Sequence, residues 1–357
     1  MKRWVVGLLI LALTLAMPFC VQAEAAGENV CATAEEYLNA LLAVKAANPQ
    51  RSYISFDIWV SDELKEALFA DDSALMMQLE IQAGIVETNY GTLSSKIAYK
   101  NCIFDDSAPH VQDLNGLVEA INQSARDLKD VIYIVCDQAL YDQITGDMWS
   151  EVRWIAIENC GIRDGRCSSS ALPVLTIRPS SYYPSYRLLH ALETGDSSAL
   201  SDAELQALKT AQAWASEIVP GSTEDVMRQI HDLICERVDY DNGETLDKDL
   251  RHSCLGALLE GLCVCDGYAD TFYLLGTLCG LDVRFQIGLT PTAEGEEVDY
   301  WRSNHAWNWV KVDGEWRMVD ITWDDLDPGI DYTYFNLPAS AVPEDHTWVW
   351  NPDGSRN

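Results

Sequence analysis

The chain has 357 residues, enough for two domains, with 48% hydrophobic residues and a formal net charge of −32 from 56 acidic and 24 basic side chains. That balance excludes a partner held by a basic face, such as nucleic acid or an anionic membrane surface. Eleven cysteines are present, and their meaning depends on the redox compartment.

The N-terminus speaks to the compartment. Lys2 and Arg3 precede the apolar run "WVVGLLILALTLAM" and the small-residue stretch "PFCVQAEAAG". This is the layout of a secretory signal peptide over residues 1–23, with cleavage after Ala23 or alternatively Ala26. The run is shorter than the roughly 20 residues a membrane span needs, so the expectation is an exported product with no membrane attachment after signal removal. Export permits disulfides, and Cys160 and Cys167, bracketing the turn-like "GIRDGR", are the pair expected to bridge.

Residues 30–190 read as a tandem module. "YISFDIWVSDELKEAL" and "VIYIVCDQALYDQI" each run from an apolar strand into a helix, and Gly84-Ile85 and Gly161-Ile162 stand 77 positions apart. The same offset carries Ile58 onto Val135 and Ile97 onto Val174, and Tyr37, Leu41 and Val44 onto Leu114, Val118 and Ile121. Each unit reads helix–strand–helix–strand, with the strands expected to run parallel under covering helices. Residues 191–220 read as a helical linker, opened by a capping box at Ser201 and Glu204. Residues 221–357 form the second domain. Its first helix, "TEDVMRQIHDLICERVDYD", carries His231 and Cys235 as packing residues, and Tyr240 lies at its end.

The chemistry concentrates further on. "DGYADTFYLLGTLCGL" has helical periodicity ending at Gly280, which puts Cys265 at a helix N-terminus. Partial positive charge and unpaired N–H groups there favour a thiolate and an oxyanion. The Cys265 N–H is the candidate oxyanion donor, and Cys265 is expected to be the most acidic thiol. Cys263 falls in the preceding loop. "NHAWNWVKVDGEWRMVDITWDD" alternates around Asp313-Gly314, a hairpin signal. That turn places Val312 opposite Glu315, Trp307 opposite Asp320 and His305 opposite Thr322. His305 and Asp320 are then diagonal neighbours on one face, close enough for a carboxylate–imidazole bond. Cys265 completes a Cys–His–Asp set. A zinc site of Cys263, Cys265 and His305 lacks the usual Cys spacing, so neither metal nor cofactor is expected. Tyr268 and Trp301, Trp307, Trp309, Trp316 and Trp323 read chiefly as core or cleft wall, with Trp301 or Trp307, and Tyr268, as the candidate substrate contacts. "TPTAEGEEVDYWRS" reads as a solvated loop or, alternatively, a cleft lid whose acidity favours basic or neutral peptides.

These stretches resemble the transglutaminase-like superfamily, relatives of the papain-like cysteine peptidases. "RHSCLGALLEGLCVCDGYADTF" looks like its nucleophile segment, "NHAWNWVKVDGEWRMVDITWDD" like its His–Asp hairpin, and "YTYFNLP" and "DHTW" like its tail. The resemblance covers roughly residues 221–350. It implies an α+β protein, a duplicated α/β module followed by a transglutaminase-like domain with a papain-type core. It also implies Cys265 as nucleophile, His305 as general base and acid, and Asp320 as its orienter. The reaction implied is attack on an amide of a peptide or protein through a thioester, resolved by water or by an amine. Cys254 and Cys263 depart from the family pattern and raise a regulatory disulfide as an option. The alternative from another class is an inactive extracellular binding or scaffold protein on the same fold.

Overall fold

A computed structural model of the protein describes residues 30–48, 54–70, 74–93, 95–145, 160–168, 173–243, 245–291, 304–326, 328–355 and 357. The expected signal segment, Trp301 and most of the loop before His305 lie outside the described residues. The chain forms two compact units that divide after Asp106.

In the first unit α1 (Ala34–Ala47) starts at a capping box. Thr33 Oγ1 accepts from the Glu36 N–H at 3.2 Å, and the Glu36 carboxylate accepts in return from the Thr33 N–H at 3.2 Å. β1 (Ile54–Trp59), α2 (Asp62–Leu68), α3 (Ala74–Ala83), β2 (Ile85–Leu93) and β3 (Lys96–Phe104) follow. The sheet order is β1-β3-β2, antiparallel throughout. Tyr37, Leu41, Ile58, Leu68, Ile97 and Tyr99 are buried and build its core.

The second unit opens with β4 (His110–Val111), α4 (Leu114–Arg126), β5 (Ile132–Cys136), α5 (Gln138–Thr145), β6 (Cys160–Ser168) and β7 (Val174–Tyr182). Its sheet order is β4-β5-β7-β6, and only β4–β5 is parallel. The expected parallel arrangement is therefore corrected. In both stretches the last two strands follow one another too closely in sequence for a crossover helix, Leu93 to Lys96 and Ser168 to Val174, and such a short connection permits only an antiparallel pair. Ile58 pairs with Ile97, and the positions 77 further on, Val135 and Val174, pair in the same way. The Cys160–Cys167 bridge is also corrected. Both residues lie in β6, seven positions apart along one extended strand, a backbone separation on the order of 20 Å. A disulfide spans less than about 7 Å between Cα atoms.

The linker expected at 191–220 is part of the second unit's body. α6 (Pro184–Thr194) and α7 (Asp202–Ala215) are packed helices. Ser201 and Glu204 form the expected capping box, and Ala207, Leu208 and Ala211 are buried in one cluster with residues of the following elements. α4 and β5 likewise share a cluster with Phe285, Ile287 and Ala306. The apolar faces of these helices need cover, and the later elements supply it.

Those elements are α8 (Thr223–Cys235), β8 (Asp239–Tyr240), α9 (Lys248–Arg251), α10 (Cys254–Glu260), β9 (Leu262–Cys263), α11 (Cys265–Leu278) and β10 (Val283–Gly288). β11 (His305–Val312), β12 (Glu315–Val319), α12 (Ile321–Asp324), β13 (Asp325–Leu326), β14 (Gly329–Ile330) and β15 (Phe335–Pro338) complete the unit. α11 is the central element, buried on nearly every side. It ends in a Schellman turn, with Gly280 at φ +82° and the Leu281 N–H bonded to the Gly276 carbonyl at 2.8 Å. The antiparallel sheet β10-β11-β12-β15 lies against it. Asp313 and Gly314 both take positive φ, 50° and 87°, as a two-residue type I′ hairpin requires. Val312 then pairs with Glu315 and Asn308 with Val319, the expected register. Among the described residues no helix is long and apolar enough to cross a membrane.

Glu80 gives the first unit a pH signature. It is fully buried and accepts from the Tyr99 hydroxyl at 3.2 Å. Burial pushes its carboxyl up to about 8 against an ordinary 4.5, with the Tyr99 bond pulling the other way. The folded chain thus holds a proton that the unfolded chain releases. The stabilisation is complete below about pH 4.5 and is lost as pH rises through about 8. Glu80→Gln should remove this dependence, so its stability relative to wild type should increase with pH across that window, measured by urea unfolding.

Candidate active site

Cys265 is the first residue of α11, preceded by Val264 in extended conformation, which offers no side-chain cap. The N–H groups of Asp266 at the helix start and of Ala306 at the start of β11 both act to lower the thiol's pKa, which sets the thiol near the start of each element. The strand's alternation explains the rest. Asn308 and Val310 turn toward α11, Asn308 Nδ2 donating to the Ala269 carbonyl at 3.1 Å. Trp307 and Trp309 turn to the other side into a separate aromatic cluster. His305 belongs to that second face, its ring 5.8 Å from that of Trp307. Among the described residues no hydrogen bond joins Cys265 to His305.

The surroundings oppose an acidic thiol at Cys265. Burial pushes it up to about 12, and the Asp266 and Asp320 charges add to this, outweighing the Ala306 and Asp266 N–H groups. The expectation from the helix N-terminus is corrected for that reason: the favourable N–H groups act, but two carboxylates and desolvation oppose them. The resting thiol keeps its proton.

His305 and Asp320 meet as their register requires, with His305 Nε2 2.6 Å from Asp320 Oδ2. They do so by a different local route from the one the alternation suggests. β12 stops at Val319, and Asp320 becomes the N-cap of α12, its Oδ1 accepting the Trp323 N–H at 3.3 Å. Thr322 is thus helical and does not face His305. A second imidazole arrives from the C-terminal segment: His346 Nε2 lies 3.0 Å from the same Asp320 oxygen. Asp320 is fully buried. Burial alone would raise its carboxyl, but the charge and hydrogen bond of His305, with those of His346, hold it at about 2. Trp307, Trp323 and Tyr334 enclose the two imidazoles, with ring centroids 4.6 to 5.8 Å away.

The other expected site residues fall elsewhere. Trp307 is 1% exposed and packs edge-on against His346 at 5.1 Å, so it supports the imidazoles and offers no surface to a substrate. Tyr268 is also 1% exposed, its hydroxyl bonded to the Val238 carbonyl at 3.0 Å and to Asp325. Burial bears out the core reading of both and corrects their assignment as substrate contacts. Tyr240, 41% exposed, stacks over Tyr268 at 6.4 Å. Burial raises its hydroxyl, and the Cys265 and Asp266 charges add to that. Cys254 and Cys263 are both buried. Cys254 starts α10, where its N–H is capped by the buried Asp270 of α11 at 2.8 Å. A Cβ on Gly267 would lie 2.5 Å from the Cβ of Cys263, so glycine there lets the preceding loop fold tightly onto the helix. His231 is a packing residue that also touches Asp324 through Nε2, at 3.3 Å. Among the described residues the donors grouped within 4.8 Å are His305, Asp320 and His346, not Cys263, Cys265 and His305. Their facing atoms are already engaged in the 2.6 and 3.0 Å hydrogen bonds. His346 has no role in the sequence reading beyond its place in "DHTW". The only signal for it is its adjacency to Asp345, which a sequence offers many times by chance.

Residues 212–321 match the description of the transglutaminase-like superfamily core. This stretch is a transglutaminase-like superfamily domain. The human Kyphoscoliosis peptidase is 26% identical over 141 residues, 34% of this chain and 21% of its own length. The shared stretch therefore spans about a fifth of that relative. The crystal structure of a TGase aligns over 80% of this chain and 77% of its own, at 11% identity and a TM-score of 0.27. A protein of Cytophaga hutchinsonii, provisionally described as a cysteine protease, aligns over 45% of this chain and 62% of its own, at 16% identity and a TM-score of 0.27. The domain assignment rests on the sequence match.

In the transglutaminase-like domain Asn308 ties strand to helix. Its amide also reaches the Arg284 carbonyl at 3.4 Å. Asn308→Ala leaves the buried Ala269 carbonyl without that donor, and stability should fall by about 1–3 kcal/mol in chemical unfolding.

Proposed function

We propose that the protein is an exported cysteine enzyme that opens amide bonds of peptides or proteins, with Cys265, His305 and Asp320 as its triad. The observation that carries this is the convergence at the start of β11. The Ala306 N–H acts to lower the pKa of the Cys265 thiol, while His305, the neighbour of Ala306 in the strand, is oriented by Asp320 at 2.6 Å through Nε2. Nδ1 is then the ring nitrogen left for the thiol. In the proposed reaction His305 accepts the thiol proton as the sulfur attacks the acyl carbon. The C–N bond breaks, His305 returns the proton to the leaving amine, and a thioester remains. Water then gives the acid, or a second amine gives a new amide. Because burial keeps the resting thiol protonated, proton transfer accompanies attack, so no stored thiolate is required. The Cys265 N–H at the uncapped helix start is the proposed oxyanion donor. The matching 77-residue register in residues 30–190 supports reading that region as two copies of one unit, a module that presents partner or substrate to the enzyme domain.

The inactive scaffold reading draws on one observation: the His305 ring bonds to Asp320, and among the described residues no hydrogen bond joins it to the thiol. Activity separates the two readings. Cys265→Ala should abolish both peptide-amide hydrolysis and incorporation of a labelled amine, while Cys263→Ala retains them. Asp320→Asn should lower kcat/KM by about 10⁴, as the loss of the orienting carboxylate does in serine triads. Turnover that survives Cys265→Ala would leave the scaffold reading as the better one.

A further inference from the structure

His346 is buried, and each of its ring nitrogens faces a carboxylate oxygen. Nε2 lies 3.0 Å from Asp320 Oδ2, and Nδ1 lies 2.8 Å from Asp345 Oδ1. A carboxylate accepts and does not donate, whereas a neutral imidazole has only one N–H. Both contacts are hydrogen bonds at once only when the ring carries two protons and a positive charge. The rest of the surroundings agrees. Asp345 is one-third exposed and has its other oxygen bonded by the Tyr334 hydroxyl at 2.7 Å, so it stays an acceptor. Burial by itself would strip the ring of its extra proton, but the bonds and charges of Asp320 and Asp345 reverse the direction.

We propose that His346 is a positioning residue for the triad, a cationic clamp that fixes the Asp320 carboxylate and tempers its negative charge toward His305. The inference rests on the catalytic reading given above and assigns to that site a fourth residue and a regulator of its basicity. The physical reason is that Asp320 Oδ2 is shared. It serves His305 at 2.6 Å and His346 at 3.0 Å, and the two ring centroids are 5.4 Å apart. A positive ring at that distance disfavours a second positive charge on His305. The clamp thus eases the pull of Asp320 toward a charged ring at His305 while leaving Nε2 bonded, so that Nδ1 can take a proton from the thiol. The groups that titrate or carry charge around His346 are Asp320 from the end of β12, His305 from β11, and Tyr334 and Asp345 from the C-terminal segment. Asp324, bonded to the Tyr334 N–H at 2.9 Å, stands behind them. Trp307 and Trp323 are the uncharged walls.

The experiment titrates His305 in the full-length chain by its ring proton resonance, assigned with His305→Asn, and compares His346→Gln and Asp345→Asn with wild type. Glutamine keeps an N–H for Asp320 but no charge. Asp345→Asn works from the partly exposed end and removes the anion that holds the second proton on His346. Both variants should raise the His305 midpoint by about one pH unit, since each removes the like charge nearest to that ring. A merely structural role would lower stability or slow reaction without moving the midpoint upward. In parallel, iodoacetamide labelling of Cys265, read by mass spectrometry, is compared in wild type and Asp320→Asn. An unmoved His305 midpoint in the two variants overturns the clamp and leaves the catalytic reading in place. Labelling of Cys265 that is indifferent to Asp320→Asn overturns the catalytic reading, and the clamp with it.

Discussion

A single buried carboxylate organises the C-terminal half of this protein. Asp320 has no contact with solvent, and an ion in that position is costly unless it is paired and fully bonded. Its compensation comes from His305 and His346 on one oxygen and the Trp323 N–H on the other. Satisfying those bonds ends β12, starts α12, brings the C-terminal segment back over β11 and stacks aromatic rings around the imidazoles. The same constraint orients His305, so the fold's need to neutralise one charge and the site's need for a fixed imidazole are met together.

The thiol shows the opposing pull. A helix N-terminus and two backbone donors favour an anion at Cys265, while burial and two nearby carboxylates favour the proton. The balance leaves the thiol protonated.

The first unit and the start of the second solve the same strand-pairing problem alike: both place the final strand, antiparallel, between the two strands that precede it. They differ in what covers them. The first has its own core around Tyr37, Tyr99 and Glu80. The second shares clusters with the transglutaminase-like domain through α4, β5, α6 and α7. Elements that look alike in sequence thus end in different packing environments, because burial is decided by what arrives later in the chain.

Local signals in the sequence determined the local elements. The Asp-Gly pair set the hairpin and with it the meeting of His305 and Asp320. The Ser201 and Glu204 pair set a helix start, and the apolar period before Gly280 set a buried helix beginning at Cys265. These follow from short-range stereochemistry, which neighbouring residues encode. The antiparallel sheets, the unit boundary after Asp106, the burial of Trp307 and Tyr268, and the second imidazole on Asp320 were decided only by tertiary structure. Each depends on segments far apart in sequence competing for the same apolar cover or the same buried charge. The raised thiol has the same origin. Its nearest charges along the chain and across it are carboxylates, and only folding brings Asp320 from 55 positions away to act on Cys265.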